Sequence, residues 1–280
     1  MKIDYPIYEK INIKDYLLRC HLSKSNIYKL FFEKKIYVNG INVKDNYILN
    51  ENDILSIEYD ELENYKPEKG ILDIIYEDEY LLIINKQSGI IIHDDINSLA
   101  NIVSNYYKEN NINLSVKYPH RIDKDTSGII VFCKDLLSLS YFSYLFDVHE
   151  IKRKYLALCE GHFINKKGKI SYSIGKDRHI NGKMICYKGG STAITNYKVI
   201  KEIGNNSLVE FILETGRTHQ IRVHTAKIGH PIVGDFLYGS KIKMNRFLLH
   251  SYYISFFHPF KNREIILTID PDNVFESEVN

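Results

Sequence analysis

Nine short runs rich in β-branched and aromatic residues, set against three longer stretches with helical spacing, constrain this chain's fold more than any other feature. The runs begin near Leu72, Leu81, Ile129, Tyr155, Ile170, Ile194, Leu208, Phe247 and Ile265. Helices are predicted over Leu99 to Asn110, Leu136 to Phe146 and Thr218 to Ile228. Because strands and helices follow one another in mixed order rather than in regular alternation, the pattern predicts an α+β fold. A chain of 280 residues has room for a small module and one larger domain with its own core.

The first sixty residues carry their own signals. Tyr16, Leu17 and Cys20 form one face of a short helix. Ser23 reads as the N-cap of a second helix, whose face is Ile27, Leu30 and Phe31 and whose end is closed by Lys34 and Lys35. Ile36 to Val43 then reads as a hairpin across Asn39-Gly40, and Asp53 to Tyr59 as a further strand. Between Arg19 and Lys44 the bases Arg19, Lys24, Lys29, Lys34, Lys35 and Lys44 face Glu33 alone. A basic face of this kind suits an RNA backbone, although the whole chain has a formal net charge of only +2. The polar segment 61–70, with Pro67 and Gly70, is predicted to be a linker between a module at 12–60 and a domain at 71–280. Such a tether would let the module hold one part of a large RNA while the domain works on another.

Two segments of that larger domain concentrate chemistry. The run His120-Arg121-Ile122-Asp123-Lys124-Asp125-Thr126-Ser127-Gly128 is a turn leading into the apolar strand Ile129 to Cys133. Taken alone it is better explained by turn formers and a solvated arginine. The run Gly216-Arg217-Thr218-His219-Gln220-Ile221-Arg222-Val223-His224 offers two guanidiniums, an amide and two imidazoles, with Thr218 as the expected helix cap and Arg222 on a different face from His219. That many polar groups require partners if they are buried, and a phosphate or carboxylate suits the arginines. No cysteine or carboxylate stands at ligand spacing beside His219 and His224, so no metal site is expected.

Taken together with Lys152 to Gly161, Gly229 to Asp235, Leu249-His250-Ser251 and Phe257-His258-Pro259, these runs resemble the RluA/RluD family of RNA pseudouridine synthases. The lead-in Tyr76 to Leu81, with Asn85-Lys86 and Gly89, is also similar to that family, so the ordered matches span about 71 to 262. The chain departs from the family pattern at Gln87, Ile122 and Ser251. The N-terminal helices and hairpin, with the run Leu22 to Leu30, are similar to the alpha-L RNA-binding module.

The resemblance implies a catalytic domain on a large mixed, mainly antiparallel sheet with flanking helices, preceded by a small alpha-L domain. It also implies isomerisation of uridine to pseudouridine in structured RNA, with Asp123 as the catalytic carboxylate, Arg222 as its ion-pair partner and Tyr155 stacked under the target base. Whether Asp123 attacks the sugar, attacks the base or takes a proton is left open. A uridine must be flipped out of its stack to react. Arg121 is expected to hold the flipped backbone, and His120 either shares that task or caps the turn. Further RNA contacts are expected from Lys154, Arg217, Thr218, His219 and Gln220, and from Ser23, Lys24, Ser25, Lys29, Lys34 and Lys35 in the module. The reaction is redox-neutral, so no cofactor is expected. Carrying an alpha-L module, the chain resembles family members acting on large-subunit ribosomal RNA, with transfer RNA as the alternative. A glycosidic hydrolase and a non-catalytic RNA-binding protein are the competing readings. The widely spaced cysteines Cys20, Cys133, Cys159 and Cys186 and the absence of a long apolar run predict a cytoplasmic monomer without disulfides or membrane contact.

Overall fold

The computed structural model describes residues 1–94, 96–273, 275 and 277. The chain opens with β1 (Lys2–Pro6), β2 (Ile11–Asn12), α1 (Ile13–Arg19), α2 (Lys24–Phe32), β3 (Ile36–Val38), β4 (Ile41–Asn42), β5 (Ile48–Leu49) and β6 (Ile54–Glu58). Ser23 caps α2 by accepting from the Asn26 amide, as its position predicts. Asn39 and Gly40 both have positive φ, the geometry that lets a two-residue turn match the twist of its strands. β1 pairs with β6, so the N-terminal unit begins at residue 2 rather than 12. Ile3 and Tyr5 point inward while Lys2 and Asp4 face out, which is ordinary strand alternation.

The second unit contains β7 (Ile74–Glu77), β8 (Leu81–Lys86), α3 (Leu99–Glu109), β9 (Ser127–Cys133), α4 (Leu136–Asp147), β10 (Lys152–Glu160), β11 (Lys167–Ser171), β12 (Ile174–Lys176) and β13 (Met184–Cys186). β14 (Ile194–Ile203), β15 (Asn206–Leu213), α5 (Gln220–Lys227), β16 (Leu249–His258) and β17 (Arg263–Thr268) complete it. All nine expected strands enter one sheet, ordered β11-β14-β15-β10-β16-β9-β8-β7 with β17 beside β16. Its pairs are antiparallel except β16 with β9. The hairpin β12–β13 is an element that the hydrophobic pattern did not indicate, its residues being largely polar at the turn.

Every residue of β9 is buried because both faces of the sheet are covered there. Leu82, Ile84, Ile130 and Phe132 pack under α3 with Leu99, Val103 and Tyr107. Leu81, Ile83, Ile129, Val131 and Cys133 face α4 and the N-terminal unit, sharing one core with Ile3, Tyr5 and Tyr59. The Tyr5 hydroxyl donates to Asp135 at 2.6 Å, and Asp135 also caps α4 through the Ser138 amide. Tyr80 donates to the Asp4 carbonyl at 2.6 Å. Segment 61–70 is likewise pinned: Glu61 accepts from Ser115 and pairs with Lys117, and Asn64 exchanges two hydrogen bonds with Val116. The expected free tether is therefore a docked strap, because its polar side chains find partners on the larger domain.

Gly128 marks the point where the 120–128 turn enters the sheet. It has φ +111, and a Cβ there would lie 2.2 Å from the Ser251 carbonyl oxygen of the neighbouring strand. Gly128→Ala is expected to cost about 1–3 kcal/mol. Urea unfolding checks this, and an unchanged midpoint would contradict the close approach.

Candidate active site

The turn before β9 is held from beneath by a lysine. Lys86 is 1% exposed, and its ammonium donates to the carbonyls of Gln87, Ile90 and Lys124 at 2.8–2.9 Å. Burial pushes its pKa down to about 7, against the opposing pull of Asp125 and Asp123. Ser88 donates to the Asp125 carbonyl and Gly89 to that of Lys124, so Asp123 projects from a tied loop.

Asp123 lies at an open cleft of about 790 Å³, its side chain 23% exposed. Arg222, on α5, reaches its Oδ2 through Nη1 at 3.1 Å. The same guanidinium is gripped by Asp235, with Nε to Oδ2 at 2.7 Å and Nη2 to Oδ1 at 3.0 Å. It also sits over the Phe247 ring at 4.2 Å and the Tyr238 ring at 5.0 Å. Arg222 is thus fixed by one carboxylate and offers its remaining edge to the other. Two carboxylates around one guanidinium leave the cluster with a net negative charge available at Asp123.

His219 also faces Asp123, with Nε2 3.9 Å from Oδ1. His219 stands just before α5, outside helical spacing, and its ring turns to the same carboxylate as Arg222, which corrects the expectation that the two point apart. The Tyr238 hydroxyl accepts from the Met184 amide and is 2.9 Å from His219 Nδ1. That hydrogen bond holds the ring with its Nε2 edge turned toward Asp123. Burial holds the imidazole below its ordinary pKa, which favours the neutral ring. His219, with φ +55, occupies the cap position of α5 without a side-chain cap bond, where Thr218 had been expected to cap. Tyr155, on β10, is buried and lines the same cleft.

Arg121, Arg217 and Thr218 line the cleft with exposed side chains. Several other expected RNA contacts have different partners. His120 accepts the Val131 amide at Nε2 and stacks on Phe146 at 4.1 Å, so it anchors the turn instead of clamping a backbone. The Gln220 amide is spent on Thr215, Arg217, Ile194 and Thr195. Lys154 pairs with Glu210 at 3.4 Å and, by strand alternation, lies on the opposite sheet face from Tyr155. In the N-terminal unit Lys35 is bound by Glu33 and Asp60, whereas Ser23, Lys24, Ser25, Lys29 and Lys34 are exposed. Asp235, Tyr238, Phe247 and His149 are site residues to which the sequence reading gave no role. Asp235 had a signal, since it closes the Gly229 to Asp235 run. Among the described residues no His/Cys/Asp/Glu cluster has the geometry to hold a metal ion.

Four histidines around this region, His120, His219, His224 and His250, are held below the ordinary imidazole pKa, chiefly by burial, with His250 at about 4. The unfolded chain takes up protons below about pH 6.5 that the native state refuses, so stability rises with pH in this window. The urea midpoint is expected to be lower at pH 5.5 than at pH 7.5. Equal midpoints would show that these rings are not buried neutral.

The model of the family described as RNA pseudouridylate synthase matches residues 80–227. The chain is 40% identical over 253 residues to an uncharacterized RNA pseudouridine synthase of Bacillus subtilis, YhcT, covering 87% of this chain and 84% of that one. It is 33% identical over 280 residues to the ribosomal large subunit pseudouridine synthase C of Buchnera aphidicola subsp. Schizaphis graminum, covering 93% and 89%. Among solved structures it is similar to human RNA pseudouridylate synthase domain containing 1, with TM-score 0.63, 25% identity and coverage of 75% and 88%.

Proposed function

The chain belongs to the RNA pseudouridylate synthase family, whose members isomerise uridine to pseudouridine in RNA, and from that premise we propose that Asp123 performs the reaction on large-subunit ribosomal RNA without a cofactor. The observation that carries this reading is the Asp123 carboxylate, presented to the cleft and paired with an arginine that Asp235 holds in place. A carboxylate placed and oriented in this way can serve as nucleophile or base. In the isomerisation the bond from N1 to C1′ breaks, a bond from C5 to C1′ forms, the C5 proton leaves and N1 gains one. No electrons are exchanged and no group enters, so proton handling and orientation suffice.

Tyr155 supplies an aromatic floor for the uracil, with its hydroxyl as a polar tip. His219 turns its Nε2 edge toward Asp123 from the side of the cleft where the base would enter. Arg121 and Arg217 hold the flanking phosphates once the nucleotide is extruded. Ribosomal RNA is favoured over transfer RNA because the relative named for the large ribosomal subunit aligns over 93% of this chain, including the N-terminal unit.

Pseudouridine mapping of total RNA, with and without the protein, tests the reading. Loss of one or a few sites in large-subunit ribosomal RNA is expected. Loss confined to transfer RNA would overturn the substrate assignment, and release of free uracil would point to hydrolysis instead.

A further inference from the structure

His21 and Tyr144 belong to different units of the chain, yet their rings stack at 3.4 Å with planes 14° apart. His21 lies in the turn between α1 and α2 with φ +59, and the next residue, Leu22, is 3% exposed. The buried Leu22 keeps the turn from swinging away. Tyr144 is on α4, 37% exposed. The pair thus forms an exposed aromatic step across the seam, on a joint made rigid by Tyr5, Tyr59 and Asp135.

The helix that carries Tyr144 runs on into the cleft wall. Three residues beyond Tyr144, about 5 Å along the helix axis, Asp147 is already on the cleft wall, with Phe146 and His149 beside it. Arg153 lies over the Phe146 ring at 5.0 Å, and its buried Nε has no acceptor among the described residues. On the other side of the seam, exposed Ser23, Lys24 and Ser25 follow His21 within four residues. Asp147 and Glu150 add negative charge near the step, which disfavours holding phosphates there and leaves the ring surfaces turned away from the stack as the contact offered.

We propose that the His21–Tyr144 pair is a base-stacking step over which the RNA strand leaving the cleft crosses to the N-terminal unit. The proposal rests on the cleft being an RNA site and adds the path of the flanking strand. Nucleobases are the occupant because Tyr144 stands one helical turn from Asp147 on the cleft wall, while exposed Lys24 follows His21 by three residues. Every base has a face to stack, so the step adds affinity with little sequence preference. The docked joint then makes the distance between target uridine and N-terminal contact a fixed feature of substrate choice.

Fluorescence anisotropy with labelled oligouridylates tests this. A probe of about four nucleotides is chosen to engage the cleft alone, and one of about sixteen to extend across the seam. The unsubstituted protein is expected to bind the longer probe more tightly. Tyr144→Ala is expected to weaken the longer probe roughly tenfold and leave the shorter one unchanged, with Tyr144→Phe retaining binding. His21→Asn, which tolerates the left-handed backbone, is expected to reproduce the loss. Equal weakening of both probes, an unaffected longer probe, or no length dependence in the unsubstituted protein would each overturn the proposal. Because binding rather than turnover is read, a mistaken role for Asp123 leaves these results unchanged, whereas failure of the RNA reading appears as no binding of either probe.

Discussion

Asp123→Asn is expected to lower uridine isomerisation by at least about 10³-fold, roughly 4 kcal/mol of barrier, while the protein stays folded and binds RNA. The size follows from what the amide lacks: it is neither a nucleophile nor a base, and no other carboxylate of the cluster is free to replace it. Asp235 is 2% exposed and both its oxygens are bonded to Arg222. Stability should change little, because Asp123 is partly exposed and contributes only one bond to Arg222. Tritium release from C5-labelled RNA measures the activity, and thermal unfolding the stability. Activity within about tenfold of the unsubstituted protein would remove Asp123 from the chemistry.

The sheet was legible because its evidence is local. In Leu81 to Ile84 and Ile129 to Cys133 the apolar runs announce strands buried on both faces, and the structure divides their alternate residues between two cores. Lys2 to Tyr5 carried the same period-two signal in only four residues, and it passed unread. What sequence did not yield were partnerships. Tyr5 and Asp135 are 130 residues apart, so the docking of the N-terminal unit had no local trace. Lys154, Gln220 and Lys35 looked available because their acceptors, on other strands and turns, could not be placed. His219 and Arg222 differ in kind: the left-handed backbone at His219, which turns its ring toward Asp123, leaves no trace in residue spacing.

The candidate site divides in the same way. Asp123, Arg222 and Tyr155 could be singled out from ordered motifs. The reason Arg222 stays in position could not, because Asp235 is bound to it by folding and not by spacing. This hidden partner controls both the stability and the electrostatics of the cluster.

Asp235→Ala is accordingly expected to destabilise the protein by about 3–5 kcal/mol, the cost of stranding one partner of a buried pair. Arg222 would keep a single bond, to Asp123, and its guanidinium would be free to rotate toward that carboxylate. A charge that now balances two carboxylates would then neutralise one, and displacement of the reacting groups by about 1 Å is enough to cost about 10²-fold in rate. Urea unfolding and tritium release measure the two losses separately. The double variant Arg222→Met/Asp235→Leu sharpens the distinction, since replacing both buried charges by apolar side chains is expected to recover much of the stability. It cannot restore the cation facing Asp123, so activity should remain lost. Recovery of stability together with activity would mean that the arginine serves the fold alone, whereas stability without activity would assign it to orienting Asp123 for the reaction.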